Sequence, residues 1–213
     1  MTCKICGIRR AKRSCPAVGG EICSICCGQQ REVTLDCPLD CEYLAEARKH
    51  EVENPVNPDE FPNQDVRLSD KFLRDNEELL VAVGRAVLTA ALSTPGAVDF
   101  DLREALAALI RTQRTLESGL YYETLPENTV AAELCRRIQE AIAEFRRQET
   151  ERLQMTRTRD TDVLGMLVFL QRLEITRNNG RKRGRAFLDF MRRQLPGSTG
   201  QPTPAQSGSL IVT

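Results

Sequence analysis

Eight of the nine cysteines fall within the first 41 residues: Cys3, Cys6, Cys15, Cys23, Cys26, Cys27, Cys37 and Cys41. Only Cys135 lies elsewhere. A segment of about 40 residues cannot bury enough apolar surface to fold unaided and usually needs disulfides or a metal. Disulfides require an oxidising compartment, and the start, MTCKICGIRRAKR, lacks the apolar stretch of a secretory signal. The longest apolar run, 163–170, is interrupted by Gly165 and is far shorter than the ~20 residues that span a bilayer. The chain therefore reads as soluble, cytoplasmic and free of the membrane, with reduced thiols available to a metal.

Cys3-Lys-Ile-Cys6 and Cys23-Ser-Ile-Cys26 are two C-x-x-C knuckles with sixteen residues between them, inside the range of about 15–20 expected of a tetrahedral zinc site. Two thiolates from one tight turn fill two corners of a tetrahedron, and a second turn supplies the others. Cys15, Cys27, Cys37 and Cys41 remain for a second site. Cys15 lies between the halves of the first site and Cys37 and Cys41 lie beyond it, which makes the pair a cross-brace with two Zn2+. The adjacency of Cys26 and Cys27 leaves open which of them joins the first site. His50 is either a replacement ligand in the second site or an exposed residue ending a short helix, EYLAEARKH. Each Zn(Cys)4 centre carries a net charge of −2, which Arg9, Arg10, Lys12 and Arg13 are placed to offset.

Cys3-x-x-Cys6, Cys15-Pro16 and Cys23-Ser24-x-x-Cys27 resemble the front of HIT-type and MYND-type zinc fingers. That resemblance covers the first fifth of the chain and implies an interleaved two-zinc plan used for protein interaction. Those families close with a His and a Cys, whereas here the closing pair would be Cys37-Pro-Leu-Asp-Cys41. The whole chain is similar to uncharacterised bacterial proteins that join a Cys-Cys-Gly, Cys-Pro-x-x-Cys N-terminus to a helical domain. Two other uses of the thiols fit less well. The ferredoxin run for an iron–sulfur cluster needs its cysteines closer together, and C-x-x-C redox motifs sit in a βαβ context that is absent here.

Behind the cysteines, HEVENPVNPDEFPNQD carries three prolines and almost no periodicity, as a semi-extended linker does. The rest to about residue 196 is helical in period. Ser69 caps a first helix with Phe72, Leu73, Leu79, Val83, Val87 and Leu92 on its stripe. Asp101 and Glu104 start a second, running to Leu120, and Thr124 and Glu127 a third, ending near Leu153. Asp162 caps a fourth, VLGMLVFLQRLEI, apolar around most of its circumference and so central. Asn178-Asn179-Gly180 stops it, and Phe187 to Leu195 form a fifth. The expected fold is mainly α, divided into a two-zinc module (1–50), a linker (51–66), an all-α bundle of about five helices (67–196) and a tail (197–213). The tail is too polar to fold, although its Leu-Ile-Val could add to a sheet edge. Cys135 belongs to an apolar stripe and is expected to be buried.

The formal net charge of zero is unevenly distributed: 8 basic against 6 acidic residues in 1–50, 7 against 16 in 51–135, and 15 against 8 in 136–213. Arg181, Lys182, Arg183 and Arg185 crowd the start of the fifth helix, where the helix dipole disfavours cations. They are candidates for binding an anion, or for pairing with the acidic middle of the chain. Together with residues 9–13, segment 177–185 makes nucleic acid a second candidate partner besides a protein. An all-cysteine zinc site is closed to substrate, and the chain lacks a phosphate-binding P-loop and a nucleophile elbow. With its acidic side chains mostly on polar helix faces, the bundle suggests no catalytic centre. The expectation is a non-enzymatic adaptor or regulator, with an unrecognised site in the bundle as the enzymatic alternative.

Overall fold

The structure, a computed structural model, describes residues 1–51, 55–119 and 122–195. The described residues form eight α-helices and one small antiparallel sheet, a mainly α fold. In the N-terminal module β1 (Arg13–Cys15) pairs with β2 (Gly20–Ile22), Cys15 facing Gly20. Helices α1 (Ser24–Gln30) and α2 (Glu42–Arg48) follow. The bundle contains α3 (Asp70–Asp75), α4 (Glu77–Ser93), α5 (Asp99–Glu117), α6 (Thr129–Leu153), α7 (Asp160–Arg177) and α8 (Ala186–Gln194).

The single helix expected from Ser69 onward is two helices. Ser69 does cap, its Oγ accepting from Phe72 N at 3.1 Å, but Asn76 leaves helical geometry and its side-chain amide donates to the Phe72 carbonyl. The break lets the Phe72 ring settle on Gly165 of α7, where any side chain would collide with it. Other starts shift by a few residues. Helix α5 begins at Asp99, with Asp101 accepting from Val98 N at 2.9 Å. Asn128, not Thr124, caps α6: its Oδ1 accepts from Val130 N and Ala131 N, while the Thr124 N–H donates to Thr112 Oγ1. Asp162 is the third residue of α7 and accepts from Arg159 N, still satisfying a donor that the helix leaves free.

Helix α7 is central, as its composition predicts. It packs on α5, α4 and α8, with Val163, Leu164, Met166, Leu167, Val168 and Leu170 buried. Helix α6 closes the other side against α4 and α5. Cys135 is buried, its thiol donating to the Ala105 carbonyl. Leu92 and Leu153 are exposed at the ends of their stripes. The second half of the expected linker belongs to the bundle: Asn63 and Asp65 accept from Arg114, and Arg172 donates to the Asn63 and Val66 carbonyls. Leu120 and the tail 197–213 lie outside the described residues. No helix among those described is long and apolar enough to cross a membrane.

Candidate metal centre

The first knuckle is made by a tight loop. The Cys3 N–H donates to the Arg9 carbonyl and the Gly7 N–H to the Cys3 carbonyl, with Gly7 in the left-handed region at φ +67°, a conformation glycine adopts without steric cost. The second knuckle is the start of α1, where Cys23 caps the helix and its sulfur accepts from Cys26 N at 3.4 Å. The hairpin of β1 and β2 spans the interval between them, and the Lys4 N–H donates to the Glu21 carbonyl to bring the knuckles together. The sulfurs of Cys3, Cys6, Cys23 and Cys26 all lie within 4.8 Å of one another and could hold a metal ion. A zinc tetrahedron with bonds of about 2.3 Å places its sulfurs about 3.8 Å apart.

The thiol chemistry fits a cation. Burial raises the Cys3 thiol, but backbone N–H groups of Cys6, Cys23 and Ile5 outweigh it and the pKa falls to about 6. Cys23 is lowered too, chiefly by the Cys26 N–H. Cys26 is pushed up to about 12, first by burial and then by the sulfurs of Cys23, Cys6 and Cys3. Cys3 and Cys23 are thus drawn toward thiolate while Cys26 resists it, and a cation held among the sulfurs would favour the charged form of each.

The remaining thiols of the module are also neighbours. Cys15, Cys27, Cys37 and Cys41 line one small cavity together with Arg13, Arg31, Leu35, Tyr43 and Leu44. Among the described residues only the first set brings three or more sulfurs within 4.8 Å of one another. Two of the expected compensating cations turn to sulfur: Arg9 Nη1 lies 4.0 Å from Cys23 Sγ, and Arg13 Nη1 donates to Cys27 Sγ at 3.3 Å while stacking over Tyr43. Arg31 adds a longer contact to Cys27. His50 is exposed at the end of α2 beside Glu46 and is not among the thiols.

The basic segment 181–185 precedes α8, and much of it is occupied by the module. Arg181 Nη1 donates to the Arg31 carbonyl. The Arg183 N–H donates to the Glu32 carbonyl. Arg185 donates through its backbone N–H to Glu32 Oε1, through Nη1 to the Cys37 carbonyl, and pairs with Asp36 at 2.7 Å. Lys182 and Arg183 keep exposed side chains. Arg181 and Arg185 thus have their acceptors within the chain. The anion at the α8 N-terminus is likewise internal: Asp99 accepts from Phe187 N and Leu188 N.

Most acidic residues do lie on polar faces, but a buried set stands apart: Glu32, Asp99, Asp101, Glu149, Asp162, Glu174 and Asp189. Each has a structural partner. Glu174, fully buried, takes a bidentate pair from Arg103. Glu149 accepts from Arg157 N and from Thr158 N and Oγ1. Glu32, also fully buried, joins Arg48, which reaches Glu51 and Asp189 as well. Asp101 and Asp162 are legible as helix-start residues because their backbone partners are three positions away, whereas Glu32, Asp99 and Glu174 are not, because their partners are distant in sequence. The one available signal was a carboxylate inside a helix read as buried all round, at Glu174.

No family model, curated protein or solved structure matches the chain. The likeness of its N-terminus to HIT-type and MYND-type fingers therefore rests on cysteine spacing.

Proposed function

We propose that the chain is a non-enzymatic zinc-binding adaptor or regulator, in which a cross-braced two-zinc module presents a surface to a protein partner and the helical bundle carries it. The observation that bears most weight is the partition of the eight N-terminal thiols into two groups: a tight set of four, and four that line one small cavity.

The energetics favour metal over an apolar core. The fully buried aliphatic side chains of the module are Ile22 and Leu44, worth about 1.5–3 kcal/mol each. Two such side chains cannot order a segment of about 40 residues, whereas structural zinc, with apparent binding energies of about 10–16 kcal/mol per site, couples binding to folding directly. Four cysteines per ion leave no open coordination position for a substrate, which supports a structural rather than catalytic metal. The internal acceptors of Arg181 and Arg185 reduce the charge available for nucleic acid, so a protein partner is preferred.

Elemental analysis of the purified protein tests the metal, with two zinc per chain expected and one lost in Cys6→Ser or Cys41→Ser. One zinc per chain would refute the second site, and iron with visible absorbance would refute zinc. Affinity capture from native cells tests the adaptor role. A protein partner retained by wild type and lost by Cys6→Ser supports it; salt-sensitive capture of nucleic acid alone replaces it.

A further inference from the structure

The segment that carries Cys37 and Cys41 is the same segment that holds the module on the bundle. Between α1 and α2 the chain runs from Arg31 to Cys41, and five of its residues are gripped by the α7–α8 connection and α8. The Arg31 carbonyl accepts from Arg181 and the Glu32 carbonyl from the Arg183 N–H. The Glu32 carboxylate accepts from Asn179 Nδ2 at 2.8 Å and from the Arg185 N–H at 2.9 Å. Asp36 and the Cys37 carbonyl meet Arg185, and the Leu39 carbonyl meets Arg192.

Cys41 then caps α2, whose Arg48 crosses back to Glu32 at 2.6 Å and to Asp189 of α8 at 3.4 Å. The contact is polar and buried, with Arg48 4% and Glu32 0% exposed at their side chains. The apolar clusters of module and bundle are separate. Docking therefore rests on the placement of these carbonyls and carboxylates, which the loop must hold in register. A buried polar contact of this kind is strong when every group is met and costly when partners shift.

We propose that the second thiol site is a metal-dependent latch: an ion held by Cys15, Cys27, Cys37 and Cys41 fixes loop 31–41, and the fixed loop docks the module on the α7–α8 connection. This rests on the reading of those four cysteines as a metal site. Loss of that ion undocks the module, frees Arg181 and Arg185, and turns a rigid two-part molecule into a tethered one. The module's partner-binding geometry thereby becomes dependent on metal supply. By linkage, whatever the ion does for docking, docking does for the ion.

Two arms test the latch on full-length protein. In Cys37→Ser, hydrogen exchange at 178–189 should accelerate at least tenfold, with new tryptic cleavage after Arg181, Lys182, Arg183 or Arg185. The α4–α7 core should stay protected. In Arg185→Ala, which leaves all eight thiols in place, competition with a chromogenic chelator should show one zinc held about tenfold more weakly and the other unchanged. A Cys37→Ser protein that has lost one zinc yet exchanges at 178–189 within twofold of wild type overturns the latch. So does an Arg185→Ala protein with both zinc affinities within twofold of wild type. A wild type holding one zinc, all of it kept by Cys37→Ser, overturns the metal reading itself, so the two failures are distinguishable.

Discussion

Glu32 is the residue on which the junction should depend most, and Glu32→Gln is the sharpest single perturbation of it. The carboxylate is fully buried and accepts from Arg48 Nη2 at 2.6 Å, the Arg185 N–H at 2.9 Å and Asn179 Nδ2 at 2.8 Å. Glutamine preserves shape and one oxygen, so the contacts to Arg48 and Arg185 persist without their ionic component. Its NH2 group then faces the Asn179 amide, donor against donor. Asn179 cannot turn over without loss, because its Oδ1 accepts from Arg181 N. Hydrogen bonds to charged groups contribute about 1.5–3 kcal/mol, and an unmet buried donor costs about 1–3 kcal/mol. Glu51 and Asp189 still neutralise Arg48, which keeps the loss below the sum.

A destabilisation of about 2–4 kcal/mol follows. It should appear in urea unfolding of the zinc-loaded protein followed by circular dichroism. A cycle of Glu32→Gln, Arg48→Met and the double variant should give a coupling of about 1–3 kcal/mol, the range for residues in one buried network. A Glu32→Gln protein within about 0.5 kcal/mol of wild type, the range of an ordinary surface change, would refute the view that this contact joins the two parts.

Three further outcomes are expected. Gly165→Ala should destabilise the bundle by about 1–3 kcal/mol, because a Cβ there meets the Phe72 ring; adding Phe72→Ala should remove most of the penalty specific to Gly165→Ala, and additive effects would contradict the contact. Cys135 is pushed up to about 12 by burial, so a thiol reagent added to metal-stripped protein should label eight cysteines and reach the ninth only in denaturant. Burial raises Asp99 to about 7 against the N–H groups of Phe187 and Leu188, so the folded state binds this proton more tightly than the unfolded chain. Its contribution to stability therefore falls as pH rises from about 4 to about 7, and melting temperatures of Asp99→Asn should show a shallower slope over that window, with Glu174, also raised by burial, supplying the remainder.

Periodicity carried the helices because each buries one stripe, and a stripe is written locally. It carried the central place of α7 for the same reason, since an element apolar all round has no face to give to water. Helix starts were read less well. Thr124 and Asn128 are both capping residues, and the choice between them is made by Asp101, which accepts from the Asn128 amide at 2.7 Å across 27 residues. The break at Asn76 likewise depends on a glycine in another helix, Gly165.

The candidate metal centre divides along the same line. Cys3, Cys6, Cys23 and Cys26 were legible as a set because two turns of fixed geometry each bring two sulfurs together, and it is Cys26, not Cys27, whose sulfur groups with those of Cys3, Cys6 and Cys23. The basic run 181–185 reads as binding an anion or pairing with the acidic middle of the chain, 51–135; Arg181 and Arg185 instead meet the loop carrying Glu32 and Asp36 in the N-terminal module. Nothing near Glu32 marks it as buried: it follows a polar helix end and adopts a left-handed backbone at φ +54°, a cost for a side chain other than glycine. That cost is reasonable only if the conformation aims the carboxylate and the carbonyl at α8 together, which is what the contacts with Arg185 and Arg183 show. Such strain also implies that Glu32 has no reason to hold this conformation once the module leaves the bundle, so undocking and relaxation of the loop that bears Cys37 should occur as one event.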